Sequence, residues 1–213
     1  MKGFDILLIK EQLKEELRKD LPGIGIQYKM APGLRMKIRP SVNTKKAAVL
    51  ILLYPHHGSL CTIFIRRPRY RGIHSGQISL PGGKMELYES DPAETALRET
   101  HEEIGINPLE IEILGKLTEL HIPVSKILVV PFVGYISERP LFHPHHFEVE
   151  SMIETSVNEF LKPGTRQEKM KIMFINKAIV PFYNINGHHI WGATAMIISE
   201  FVEILKRIDN PLL

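Results

Sequence analysis

Residues Gly83 to Ile106 read G-K-M-E-L-Y-E-S-D-P-A-E-T-A-L-R-E-T-H-E-E-I-G-I, with Arg98, Glu99, Glu102 and Glu103 crowded into little more than one helical turn. Glu99, Glu102 and Glu103 stand at i, i+3 and i+4, a spacing that brings side chains together on one face of an α-helix. Like charges so placed repel, so the segment accepts a local cost. Three converging carboxylates are most simply explained by a hard, oxygen-seeking divalent cation such as Mg²⁺ or Mn²⁺, which neutralises them.

The flanking residues frame a helix that presents these acids. Asp91 is a good N-cap, Pro92 suits the first helical position and Glu94 falls where a capping-box partner belongs. Ala93, Leu97, Thr100 and Ile104 keep the rhythm of a buried stripe, with the acids expected roughly opposite it. Gly105 suits a left-handed helix end. Upstream, a strand-like Gln77–Leu80 runs into Pro81-Gly82-Gly83, a turn whose bare backbone suits close approach to phosphate oxygens. R-E-x-x-E-E alone also describes an ordinary surface helix with Arg98 paired to Glu102. The Gly-Gly turn, the cap and the closing glycine favour a site.

The segment resembles the signature of the Nudix hydrolases, G-x5-E-x7-R-E-U-x-E-E-x-G-U with U aliphatic. Gly83, Glu89, Arg98, Glu99, Glu102, Glu103, Gly105 and Ile106 fill its fixed places. It departs in one extra residue between Glu89 and Arg98, leaving Glu89 or Asp91 for the first acid, and in Thr100 after R-E. The preceding run, Arg66 to Gln77, is similar to the R-x6-H-x-G-Q-x3-P-G-G-K element of the coenzyme A pyrophosphatase branch; Arg67, His74, Gly76, Gln77, Pro81, Gly82, Gly83 and Lys84 match it. That branch tolerates the same extra residue. Pro68 and Arg71-Gly72 depart from its usual Ser and Leu-Arg. Pro123-Val124-Ser125, Val130 to Gly134 and Ile190 to Ala195 extend the likeness over roughly residues 44 to 206.

The resemblance implies an α/β/α sandwich with a mixed sheet, here with an added N-terminal helix. It implies metal-dependent hydrolysis of a phosphoanhydride in a nucleoside diphosphate derivative, foremost coenzyme A or its derivatives, to 4′-phosphopantetheine and adenosine 3′,5′-bisphosphate. Glu99, Glu102 and Glu103 would hold Mg²⁺ or Mn²⁺, and Arg98 would orient a carboxylate. Arg67, His74, Gln77, Gly82, Gly83 and Lys84 would bind substrate, arginine being well shaped to grip phosphate. Glu148, Glu150 and Glu154 are available as a base outside the helix, alongside those within it. Two other readings stay open: a hydrolase of ADP-ribose, dinucleotides or modified nucleoside triphosphates, and a non-catalytic nucleotide sensor of the same fold. The intact acid set argues against the sensor.

The remaining composition is compatible. A balance of 27 basic against 24 acidic residues is too mild to announce a nucleic-acid binder. The single Cys61 reads as a core thiol of a reducing compartment. No apolar run is long enough to span a bilayer, and Met1 to Asp20, studded with Lys and Glu, reads as an amphipathic helix rather than a signal peptide. The expectation is therefore a cytoplasmic protein acting on a small nucleotide-like molecule, with no nucleic-acid or membrane partner; a homodimer is left open.

Along the chain, residues 1–40 read as a helix and loop extension, helical to about Leu21, and residues 41–213 as the main domain. Ala47–Tyr54 and Leu60–Ile65 flank a hairpin signature, His56-His57-Gly58-Ser59. Further strands are expected near Ile111–Leu120, Ile127–Ile136, His146–Glu150, Met170–Ile175 and Ile179–Ile185, with a closing helix over Ala195–Ile208. The histidines His143, His145, His146, His188 and His189 lack the ordered spacing of a zinc site and read as polar loop residues. His101 reads as a neighbour of the acids, and Trp191 as packing.

Overall fold

The computed structural model describes residues 2–33, 40–71, 74–173 and 176–208. The chain opens with α1 (Lys2–Glu16), a one-turn α2 (Ile24–Gln27) and a 3-10 turn at Tyr28–Met30. The first helix stops short of Leu21: past Glu16 its bonds tighten to the i→i+3 pattern, Arg18 N donating to Glu15 O and Lys19 N to Glu16 O. The expected loop is interrupted by α2, which is anchored from afar: Glu200 accepts from Gly23 N at 2.9 Å and from Gln27 Nε2 at 2.8 Å.

The central strand β1 (Lys45–His56) turns through His57 and Gly58, both at positive φ, into antiparallel β2 (Ser59–Arg66). Such a turn matches the strands' twist, as the hairpin signature predicts. The short β3 (Ile78–Ser79) pairs with β2 and β4 (Gly82–Lys84) with β1. Helix α3 (Pro92–Ile104) follows, then β5 (Glu112–Lys116), β6 (Leu120–Ile122) and β7 (Ile127–Tyr135), which runs parallel to β1. The sheet order is β3-β2-β1-β7-β5, and β8 (Ser151–Ser156) pairs along β2. A second sheet of β9 (Arg166–Met173), β10 (Asn176–Ile185) and β11 (His188–Trp191) leads into α4 (Ala193–Leu205).

Alternation along β1 divides the core. Ala47, Ile51 and Leu53 pack with Ile9 and Leu13 of α1 and with Ile198 and Phe201 of α4, while Ala48, Leu50, Leu52 and Tyr54 pack with Ala96 and Ile104 of α3. The sheet is thus covered on both faces, which is why β1 reads as a continuous apolar run. This is the α/β/α sandwich with a mixed sheet and an added N-terminal helix.

Two strand expectations change. Residues 146–150 form a turn rather than a strand, with Glu148 N and Val149 N both donating to His145 O at 2.9 Å. The strand begins one residue later, at β8. The strand β11 was not foreseen, and the long strand expected at Ile111–Leu120 divides into β5 and β6.

Candidate active site

Helix α3 begins and ends as its sequence predicts. Asp91 Oδ1 accepts from Ala93 N at 2.9 Å, and Gly105, at φ 75°, closes the helix by donating to His101 O at 2.8 Å. His143 N and His145 N then donate to the carbonyls of Ile104 and Glu103, both at 2.9 Å, satisfying acceptors that a helix end leaves orphaned. That docking folds residues 146–150 back beside the acids.

Asp91 is occupied in capping, and Glu89 is the acid that meets Arg98. Arg98 Nε donates to Glu89 Oε1 at 2.8 Å, while Thr95 Oγ1 and Glu86 N donate to Oε2 at 2.8 and 2.7 Å. Arg98, ahead of the other partners, holds the Glu89 carboxyl down to about 2. The same guanidinium donates to Glu99 Oε1 at 3.0 Å, Glu102 Oε2 at 2.7 Å and Lys84 O at 3.1 Å. It ties the loop before the helix to the acids on it.

Glu103 departs from the expected arrangement. It follows Ala96 by two turns, so it lies on the packed face rather than opposite it, and is 1 % exposed. Its Oε2 accepts from Gly82 N at 2.8 Å, and its Oε1 lies 3.7 Å from Arg67 Nη2, which also donates to Gly82 O at 3.1 Å. Burial pushes Glu103 up to about 7; Arg67 and the Gly82 amide oppose the rise, and the charges of Glu99 and Glu148 add to it. Burial likewise raises Glu99, against Arg98.

The two glycines of the turn have structural reasons beyond phosphate approach. Gly82 sits at φ 146°, where a Cβ would strike Ala48 O and Val49; on Gly83 a Cβ would occupy the space of the Glu99 carboxylate. Arg67, Gly82, Gly83, Glu99, Glu103, Arg98 and the Lys84 carbonyl therefore form one connected cluster. The Lys84 side chain is exposed. His74 Nδ1 and Gln77 Oε1 pair with each other at 3.3 Å, and Gln77 O accepts from Arg67 N at 3.0 Å.

Glu102 does not join Glu99 and Glu103 symmetrically; it is half-exposed and turned to Arg98. Among the described residues, no three carboxylate, imidazole or thiol groups converge as ready-made ligands, the histidines included. His101 Nδ1 lies 3.2 Å from Ile106 O, and His143 packs against Gly105. Of the outside carboxylates, Glu154 is gripped by Arg139 Nε and Nη2 at 2.9 and 2.7 Å and by Tyr54 Oη at 2.9 Å, and Arg139 depresses its ionisation first. Glu150 stands at the turn's end, its N–H donating to Arg66 O. The charge of Glu148 bears on both Glu99 and Glu103. Buried Cys61, raised to about 11 by desolvation, is an inert core thiol.

A sandwich whose sheet edge sets a Gly-Gly turn against an acidic helix defines a class, and comparison with known proteins names it. The NUDIX domain model matches residues 44–171, and the chain belongs to the Nudix family. It is 35% identical over 201 residues to Nudix hydrolase 22, chloroplastic, of Arabidopsis thaliana, covering 91% of this chain and 64% of that protein. It is 32% identical to the uncharacterised Nudix hydrolase NudL of Pectobacterium atrosepticum, over 87% of this chain and 92% of that protein. With the human mitochondrial coenzyme A diphosphatase NUDT8 it shares 30% identity over 80% of this chain and 72% of that protein. The fold is also that of the Nudix hydrolase RenU of M. Smegmatis, at TM-score 0.55, 17% identity and coverage of 80% of this chain and 89% of that one. Among the described residues, no helix is long and apolar enough to cross a membrane.

Proposed function

We propose that the chain hydrolyses the phosphoanhydride of coenzyme A or its derivatives, giving 4′-phosphopantetheine and adenosine 3′,5′-bisphosphate. The observation that carries the hydrolytic part of this reading is the buried Glu103 carboxylate, bonded to the Gly82 amide and standing beside Glu99, with burial raising both carboxyls despite Arg67 and Arg98. Clustered carboxylate oxygens are the donors a hard divalent cation takes, so the residues fit Mg²⁺ or Mn²⁺. Glu99 and Glu103, with Glu102, would hold it; when bound it supplies charge neutralisation of the pyrophosphate and a more acidic water.

The chain's own residues do the rest. Arg98 holds Glu99 and Glu102 in place by donating to both. Arg67, close to Glu103 and the turn, is placed to carry positive charge to a phosphate lying over Gly82 and Gly83. Gly82 and Gly83 let that phosphate come close to the backbone. Glu148 is our choice to receive the water proton, because Glu154 is committed to Arg139. The coenzyme A assignment draws support from the Arg66–Lys84 element and from the name of the human relative. A comparison of catalytic efficiency on coenzyme A, its dephospho form and ADP-ribose under one metal condition tests it: coenzyme A is expected to lead and ADP-ribose to trail. A clear preference for ADP-ribose would overturn the substrate while leaving the chemistry.

A further inference from the structure

A cavity of about 210 Å³ opens between the 3-10 turn at Tyr28–Met30, a second such turn at Val157–Phe160, strands β9 and β10, and helix α4. Its buried lining includes Met30, Phe160, Tyr183 and Val202, which belong to the core layer that α1 and α4 cover. The acids stand on α3, whose buried residues pack on the other face of β1. The cavity is therefore no part of the pyrophosphate site.

Tyr183 is 5 % exposed, and its ring stands edge-on to Phe160 with centroids 5.3 Å apart. The charges of Arg166 and Glu203, both on the lining, bear on its phenol, which sets the hydroxyl at the cavity wall. Burial, ahead of those charges, pushes Tyr183 up to about 12, so the hydroxyl keeps its proton and is a donor. Among the described residues it donates to nothing. A buried donor left without an acceptor is costly, and the open space before it is where an acceptor fits.

The rim supplies charge. Lys29, Lys162, Arg166 and Lys206 line the opening. Lys206 pairs with Glu203 at 2.8 Å and Lys162 with Glu159 at 2.6 Å, while Arg166 lies 3.9 Å from Glu168 and donates to Lys29 O at 3.2 Å. Among the described residues, Lys29 forms no ion pair. Its positive charge is the one left over, and a monoanion balances it. Volume sets the size: a void on the order of 150 Å³ admits a benzene ring, so this cavity suits a single ring bearing a small polar group.

We propose that this cavity binds a small organic acid, a carboxylate on a compact apolar body. The body packs against Met30 and Phe160, the carboxylate accepts from Tyr183 Oη, and Lys29 supplies the countercharge. Such a ligand ties the turn after α2 to β10 and α4. The site stands apart from the substrate reading, because no lining residue is among those assigned to the phosphoanhydride.

Fluorine NMR titration of the full chain with para-fluorobenzoate, and with its neutral counterpart para-fluorobenzamide, tests the site. The acid is expected to bind saturably and at least about tenfold more tightly than the amide. Tyr183→Phe removes one oxygen and keeps the ring, and Lys29→Gln removes one charge from an exposed side chain. Each should weaken binding of the acid several-fold. Lys29→Gln decides the matter if Tyr183→Phe fails to fold. No saturable binding of the acid to the wild type, equal binding of acid and amide, or wild-type affinity in either folded variant would overturn the site.

Discussion

At Glu103 the sequence puts a carboxylate where packing would favour an apolar side chain, and the metal-free protein bears the cost. Its raised ionisation, about 7 against an ordinary 4.5, has a definite sign. Below about pH 4.5 the group is protonated in folded and unfolded chains alike; between about 4.5 and 7 the folded chain retains the proton, and stability falls as pH rises through that window. With chelator present, the wild type should lose on the order of 3 kcal/mol across it. Glu103→Gln should flatten that slope in thermal melts at several pH values, and an unchanged slope would show that the buried carboxyl is not its source. Glu89 behaves oppositely, its Arg98-supported stability being lost only as pH falls toward about 2. Arg98→Lys, which cannot serve Glu89, Glu99 and Glu102 together, should lower kcat at least about tenfold with KM little changed, because it acts through the carboxylates. A pure KM effect in steady-state kinetics would instead place Arg98 on the substrate.

The elements around the site respond to their backbone geometry. Gly82→Ala, at φ 146° and against Ala48 and Val49, should destabilise by about 3 kcal/mol, read by denaturant unfolding. Gly83→Ala should fold but displace Glu99 and so lower turnover; a fully active variant would contradict the close approach of Gly83 to that carboxylate. Much of this was legible beforehand. The Asp91 cap, the Gly105 stop and the His57-Gly58 hairpin are local chemistry, and the chain follows them. The inward position of Glu103 was not, although Glu103 shares a face with Ala96; the charge of the acid concealed it. The strand expected at residues 146–150 failed because those residues answer to the end of α3, a partner that local alternation does not reveal. The strand β8 was hidden by its modest composition, S-M-I-E-T-S, and β11 by its histidines.

For the whole molecule, the pairing of β1 with β7 and the anchoring of α2 by Glu200 depend on residues far apart in the chain, so neither could be read from a local pattern. Fully buried Glu200 accepts from Gly23 N, Gln27 Nε2, Thr118 N and Thr118 Oγ1, joining α4 to two loops away from the acids. Glu200→Ala strands those donors and should cost about 3 kcal/mol or more in chemical denaturation, while the folded fraction keeps its turnover. The central claim, that the α3 carboxylates cleave the pyrophosphate of coenzyme A, is tested most directly by chromatography of coenzyme A incubated with Mg²⁺ and either wild type or Glu103→Gln. The wild type should yield 4′-phosphopantetheine and adenosine 3′,5′-bisphosphate in equal amounts, and the folded variant should be at least about 100-fold slower. A folded Glu103→Gln protein that releases the same products at the wild-type rate would contradict it.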